Sequence, residues 1–397
     1  MSEGERGRTV PGGRSKMVGA SKRRRKLGEI VAERIIGEII RRGWKEGEVL
    51  GTEADFMEMF RVSRATFREA VRQLEWHGAA GMRRGVYGGL VVKAPPRHAI
   101  VFAAKTYFEL TKVERPLLDD TAAILRAAPR LHADADNLAI ELFLEAVDRR
   151  TITDLANERM VAGSVPKLSE TIALRLVQDI ENAGAKRGTN LGNEGELQRR
   201  YGTSRAVMRE ALRPLELHDI VRVKTGAQGG VIIRECDPAY TIELTSIFLT
   251  YSRIPLSHLW EAQSCLEIAA VEKFVRRADA ESLGALRKAL VRLDQASAGH
   301  YLASACEFHQ IIADHSGNRA LALFVGVALR YGLTVMPMPD ENFLPELKMQ
   351  HGHMVDAIAA GDRDGAMASM RAMFDHARRW IARIERKQER RAAELSD

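Results

Sequence analysis

Between residues 62 and 74 the chain sorts apolar and basic positions at helical spacing. Val62, Phe67, Ala70, Val71 and Leu74 supply an apolar side, while Arg64, Arg68 and Arg72, four apart, share another. The same division returns downstream, with Met208, Ala211, Leu212 and Leu215 set against Arg205, Arg209 and Arg213. Both helices sit inside a longer internal repeat: residues 26–93 recur as residues 167–234 at a constant offset of 141, without a gap. Each copy predicts a first helix (Leu27 to Arg42, Leu168 to Ala183), a turn at Gly47 or Gly188, and a short second helix beginning near Thr52 or Asn193. A third helix starts at Ser63 or Ser204, whose hydroxyl can cap the first free amides. Short β-rich runs over 82–92 and 221–233 flank a glycine-bearing turn and predict a hairpin.

Three helices and a hairpin make a winged helix-turn-helix. The fold class is therefore mostly α, with two such domains and a C-terminal all-α helical bundle. Its helical segments are separated at Pro255, Gly299, Ser316-Gly317-Asn318, Pro337-Met338-Pro339 and Gly361-Asp362. The expected order is a disordered basic arm (1–25), a first winged helix (26–95), a helical spacer (96–165), a second winged helix (166–237), the bundle (238–385) and a polar tail (386–397). The arm ends in Ser21-Lys22-Arg23-Arg24-Arg25-Lys26 and serves either phosphate contact or solubility.

Composition narrows the function classes. An excess of 60 Lys+Arg over 53 Asp+Glu gives a net charge of +7, which is compatible with a polyanionic partner without demanding one. Cys236, Cys265 and Cys306 are too few and too scattered for a disulfide framework or a CxxC metal site, so a reducing cytoplasm is expected. No apolar run approaches the roughly 20 residues needed to span a bilayer, and no membrane partner is expected.

The arginine stripes carry the chemistry. A helix in the major groove needs donors near its N-terminus that reach guanine edges or phosphates, and the planar arginine fork does both. Arg64, Thr66, Arg68 and Arg72 in one copy, and Arg205, Val207, Arg209 and Arg213 in the other, are the candidate contacts with a double-stranded DNA operator. Gly85 and Gly226, in the hairpin turns, let the backbone approach the adjacent groove or phosphates. A single arginine stripe is ordinarily a solvated face; its duplication together with cap, core and glycine turn favours DNA.

These residues resemble the GntR family of bacterial transcription regulators, in its FadR-like branch. The family's pattern is matched by Glu53, Val62-Ser63-Arg64, Arg68-Glu69-Ala70-Val71, Leu74-Glu75 and the Arg84-to-Gly89 wing, and again by Glu194, Ser204-Arg205, Arg209-Glu210-Ala211-Leu212, Leu215-Glu216 and the Gly226-to-Gly230 wing. Both copies depart from it where an arginine usually follows the glutamate: Ala54 and Gly195 stand there. The C-terminal third, through Glu307 to Ile312, Ser316-Gly317-Asn318 and Asp356 to Asp362, resembles the FCD effector domain. That resemblance implies a helical bundle binding a small metabolite, a carboxylate above all, often over a divalent metal such as zinc. By register its histidines correspond to His309, His351 and His376, with His353 and His315 as bystanders. Ala305 replaces the family's aspartate ligand, with neither Cys306 nor Glu307 expected to point the same way, and Gln263 replaces an arginine of the effector site.

Arg97 to Leu125 aligns at the same offset with the opening helices of the bundle, which suggests a duplicated regulator whose first effector domain is truncated; a plain helical spacer is the alternative. The reading is a ligand-responsive transcription regulator, a repressor by resemblance, acting as a homodimer and not an enzyme. The second head, adjoining the intact effector domain in sequence, is expected to matter more. Two rivals are an architectural DNA-binding protein with an inert bundle and a metalloenzyme using the three histidines.

Overall fold

The computed structural model describes residues 27–85, 87–128, 136–150, 168–182, 187–217, 220–224, 226, 229–234, 237–340 and 342–394. The basic arm, Cys236 and residues 129–135 and 151–165 of the spacer lie outside the described residues.

The first head comprises α1 (Leu27–Arg41), α2 (Glu53–Phe60), α3 (Arg64–Trp76), β1 (Ala80–Arg83) and β2 (Gly89–Val92). Local chemistry sets its boundaries. Thr52 and Asp55 form a reciprocal capping box at α2, and Ser63 Oγ accepts from the Thr66 amide to cap α3. Phe67, Ala70 and Leu74 are fully buried against Ile35 and Ile39 of α1. Glu75 Oε1 accepts from the Met82 amide and so ties the end of α3 to the first wing strand.

The second head repeats this construction in α7 (Leu168–Asn182), α8 (Glu194–Tyr201), α9 (Arg205–Leu217), β3 (Val221–Lys224) and β4 (Gly230–Ile233). Asn193 and Glu196 form the capping box, Ser204 Oγ accepts from Val207 N, and Glu216 Oε1 accepts from Val223 N at 2.8 Å. Met208 takes the place of Phe67 in the core. Each pair of strands is an antiparallel two-stranded sheet.

Between the heads lie α4 (Arg97–Leu110), α5 (Arg115–Arg126) and α6 (Leu138–Val147). The bundle follows as α10 (Ala239–Tyr251), α11 (Leu256–Val275), α12 (Ala280–Asp294), α13 (Ala298–Asp314), α14 (Arg319–Val335), α15 (Leu344–Ala359) and α16 (Arg363–Glu394). The helices between the heads are no detached spacer, because their apolar residues belong to the bundle's own core. Phe143 of α6 stacks on Phe324 of α14 with ring centroids 4.4 Å apart. Polar contacts fix the register of that packing. Asn318 caps α14 through its carbonyl oxygen and donates from Nδ2 to Leu117 O, Asp120 and Thr121 of α5. Lys273 pairs with Asp120 at 2.9 Å, and Asn137 donates to Glu261 at 2.8 Å. The nearly buried Lys105 is held by Asp148 at 2.6 Å.

Candidate functional site

In both heads one carboxylate organises the arginines of the third helix. Glu53 Oε1 lies 3.3 Å from Arg64 Nε and 3.2 Å from Arg68 Nε; Glu194 Oε1 lies 3.9 Å from Arg205 Nε and 2.6 Å from Arg209 Nε. All four arginines remain exposed, with side chains 59 to 68 % accessible, so the pairing directs the guanidinium groups without covering them. Exposed pairs contribute little stability; their value here is orientation. Arg72 is exposed and Arg213 half-buried. Thr66 and Val207 are less available than their positions suggest. Thr66 Oγ1 is engaged with Ser63 Oγ at 3.0 Å, and Val207 packs partly onto the core of the second head.

The wing turns match as closely. Gly85 and Gly226 have φ of 110° and 109°, where a side chain would be strained, and nothing lies within 4 Å of where a Cβ would stand. Each turn is closed by an amide donating across it, Gly88 N to Gly85 O and Gly229 N to Gly226 O, both at 2.8 Å.

The second site lies inside the bundle. A cavity of about 120 Å³ is walled by Trp260, Leu302, Leu333, Met336, Met370 and Phe374, with Gln263, Glu267, His309 and His351 forming a polar patch. A dry cavity of about 150 Å³ takes benzene, so this volume admits a small ligand. His351 Nδ1 lies 2.6 Å from Leu347 O, which can only accept, so Nδ1 carries the proton. His351 Nε2 then accepts from His309 Nε2, 3.1 Å away. His309 Nδ1 in turn lies 2.5 Å from Glu267 Oε2, at an angle too bent for a well-formed hydrogen bond. Gln263 Nε2 donates to the other oxygen of Glu267 at 2.6 Å. Burial, reinforced by the neighbouring His309, pushes the His351 imidazole down to about 3, against the opposing pull of Leu347 O. His351 is thus a neutral acceptor.

Three expectations from the sequence need correction. His376 does not join the other two histidines: its ring stacks on Phe343 with centroids 4.9 Å apart, and it does not line the cavity. Met370, Met373, Phe374 and Ala377 form the cavity-facing stripe of α16, and His376 lies roughly 110° around the helix from it. Among the described residues no group of three His, Cys, Asp or Glu side chains could hold a metal ion. With Ala305 lacking a donor and the two remaining imidazoles bonded to each other, the residues present do not fit a three-histidine zinc site. Cys306 does line the cavity, whereas Glu307 turns out to pair with Arg292. His353 and His315 are exposed bystanders.

Glu267 is the functional candidate that the sequence reading missed, 2 % exposed and directly behind His309. Its spacing was the available signal, since Gln263 and Glu267 are four apart and share a face of α11.

A third group of contacts joins the first head to the bundle. Arg330, next to the cavity-lining Leu329 on α14, pairs with Glu243 of α10 at 2.8 Å and with Glu33 of α1 at 3.7 Å. Burial opposes the charge on Arg330, but Glu243 and Glu33 outweigh it and its pKa rises. Trp44 meets Tyr251 edge-on, and Arg253 donates to Gly43 O. His77 stacks on Tyr240. The head that docks on the intact effector bundle is therefore the first, although the second precedes the bundle in sequence.

Comparisons with known proteins match the two heads and the bundle as separate segments. Residues 27–87 and 168–231 each match the bacterial regulatory proteins of the gntR family, and residues 258–376 match the FCD domain. The HTH-type transcriptional repressor NanR of Cronobacter sakazakii is 26% identical over 234 residues, 57% of this chain and 90% of that protein. NanR of Salmonella newport is 26% identical over 208 residues, covering 50% and 80%. Among solved structures, the Streptococcus agalactiae GntR is similar over 53% of this chain and 99% of its own, at 23% identity and a TM-score of 0.40. No described helix is long and apolar enough to cross a membrane. With two winged helix-turn-helix segments and an FCD effector domain, the chain belongs to the GntR family of bacterial regulators and is a DNA-binding, metabolite-responsive transcription regulator rather than an enzyme.

Proposed function

We propose that the chain is a repressor whose two heads read DNA through Arg64, Arg68 and Arg72 and through Arg205, Arg209 and Arg213, with the Gly85 and Gly226 turns against adjacent phosphates. The observation that carries this reading is the paired geometry around Glu53 and Glu194, which holds exposed arginines in the same pose twice. The NanR relatives are HTH-type transcriptional repressors. Thr66 and Val207 have supporting roles, one in the cap and one in the core.

The effector site is the cavity containing Glu267, His309 and His351, used without a resident metal. A carboxylate effector is disfavoured there, because Gln263 replaces a cation and Glu267 adds negative charge. A small molecule with an apolar body and one or two hydrogen-bonding groups suits the walls and the polar patch. Its signal has a short path to the first head through Arg330. The site of action is the cytoplasm, where the DNA is.

Selection of bound fragments from sheared genomic DNA, repeated with candidate metabolites, tests the reading. Enrichment of one sequence class that a neutral metabolite releases supports it. Equal retention of all fragments would leave an architectural DNA-binding protein instead.

A further inference from the structure

We infer that one chain, without a second copy, is the complete reader of a DNA with two inverted half-sites. This rests on the DNA-binding reading above and concerns how many chains perform it. The inference starts from α4 and α5, which reproduce α10 and α11. Arg115 opens α5 and Leu256, 141 residues later, opens α11. In the turns before them Lys112 and Arg253, again 141 apart, both adopt the left-handed conformation, with φ of 51° and 49°. Non-glycine residues rarely do so, and coincidence at equivalent positions marks a shared fold.

Equivalent helices then pack on each other, α4 against α10 and α5 against α11. A motif that meets its own copy through equivalent elements forms an isologous, two-fold contact. Head docking obeys the same symmetry. Tyr251, at the end of α10, packs against the core of the first head, and Leu110, its counterpart at the end of α4, packs against the core of the second. Each head thus sits on the opening helix that follows the other head in sequence. Two chains exchanging heads across a dimer axis would give the same crossing, but here one chain closes it.

The contact is also used up. Ile100, Ala104 and Phe108 of α4 and Phe143 of α6 are buried in the core they share with α10 and α14, leaving those faces nothing to offer a second copy. Two-fold related heads present their third helices in opposite directions, which is the arrangement an inverted repeat requires. The coverage of the relatives fits: 90% of one NanR is matched within little more than half of this chain.

The test uses the full chain and a duplex recovered from sheared genomic DNA by binding. Mass photometry of the free protein and of the complex is expected to give the 44.2 kDa chain alone and one chain per duplex. Footprinting should show two inverted half-sites, with Arg64→Ala weakening protection of one half about 10-fold or more and Arg205→Ala the other. A free protein of twice the mass, or two chains per duplex with each substitution weakening both halves, overturns the inference. Should the chain bind no DNA, the regulatory reading fails, while the mass of the free protein still decides whether the two-fold contact lies within one chain.

Discussion

The Nε2 atoms of His309 and His351 face each other at 3.1 Å, and each imidazole has its second nitrogen next to a fixed oxygen, Glu267 Oε2 or Leu347 O. Among the described residues no third histidine joins these two imidazoles, so the site is a donor short of a three-histidine zinc site. Zinc added to the purified protein is expected to show no stoichiometric uptake by calorimetry, with or without His376. Tight uptake of one equivalent, abolished by His351→Ala, would refute this reading.

The same contacts predict a stability difference. His309→Ala leaves Glu267 buried without the imidazole beside it and is expected to cost about 3 kcal/mol, the range for removing one partner of a buried pair. Glu267→Gln, which removes the charge rather than stranding it, is expected to cost less. Urea unfolding of the two variants ranks them, and equal losses would show that His309 and Glu267 are not coupled.

For DNA, Arg64→Ala and Arg205→Ala are each expected to weaken specific binding by about 1 to 3 kcal/mol. Thr66→Ala and Val207→Ala are expected to act on head stability more than on specificity, as their contacts with Ser63 and the second core imply. Binding titrations on cognate and scrambled duplexes separate the two effects.

Docking of the first head is expected to weaken in mild acid. Burial holds the His77 imidazole below its usual range, partly countered by Glu243, and its Nδ1 has no partner among the described residues. The undocked head therefore takes up the proton more readily, so docking is fully favoured above about pH 6.5 and is lost progressively as pH falls below it. Hydrogen exchange of α1 at pH 7.5 and 5.5 reads this out; His77→Gln should flatten the difference.

Arg330→Met removes the cation shared by Glu243 and Glu33. It is expected to destabilise the docked head by about 2 kcal/mol, less than a fully buried pair because both partners are partly accessible. Exchange should rise in α1 and stay unchanged in α7. A uniform rise would mean that Arg330 supports the bundle rather than the latch.

Local chemistry was legible in the sequence and tertiary geometry was not. Ser63, Thr52 and the glycines at 85 and 226 act within three or four residues of themselves, so their caps and turns could be read directly. The same holds for the arginine stripes, which follow from helical spacing. His376 was misplaced because α16 presents its methionine stripe to the cavity, and which face a helix buries is decided by its neighbours. Glu267 escaped notice because its role exists only once α11 and α13 pack together. The crossing of the heads was hidden for the same reason: Arg253 meets Gly43 across 210 residues of sequence.

The crossed arrangement bears on how such a protein can change. In a symmetric homodimer any substitution in the recognition helix appears twice, and the operator must keep both halves alike. Here the two copies already differ at exposed positions of the second helix, Glu58 against Arg199 and Met59 against Arg200, and they vary separately within one gene. Each head is free to drift toward its own target, so promoters whose two arms have diverged beyond the reach of a homodimer become available to this chain.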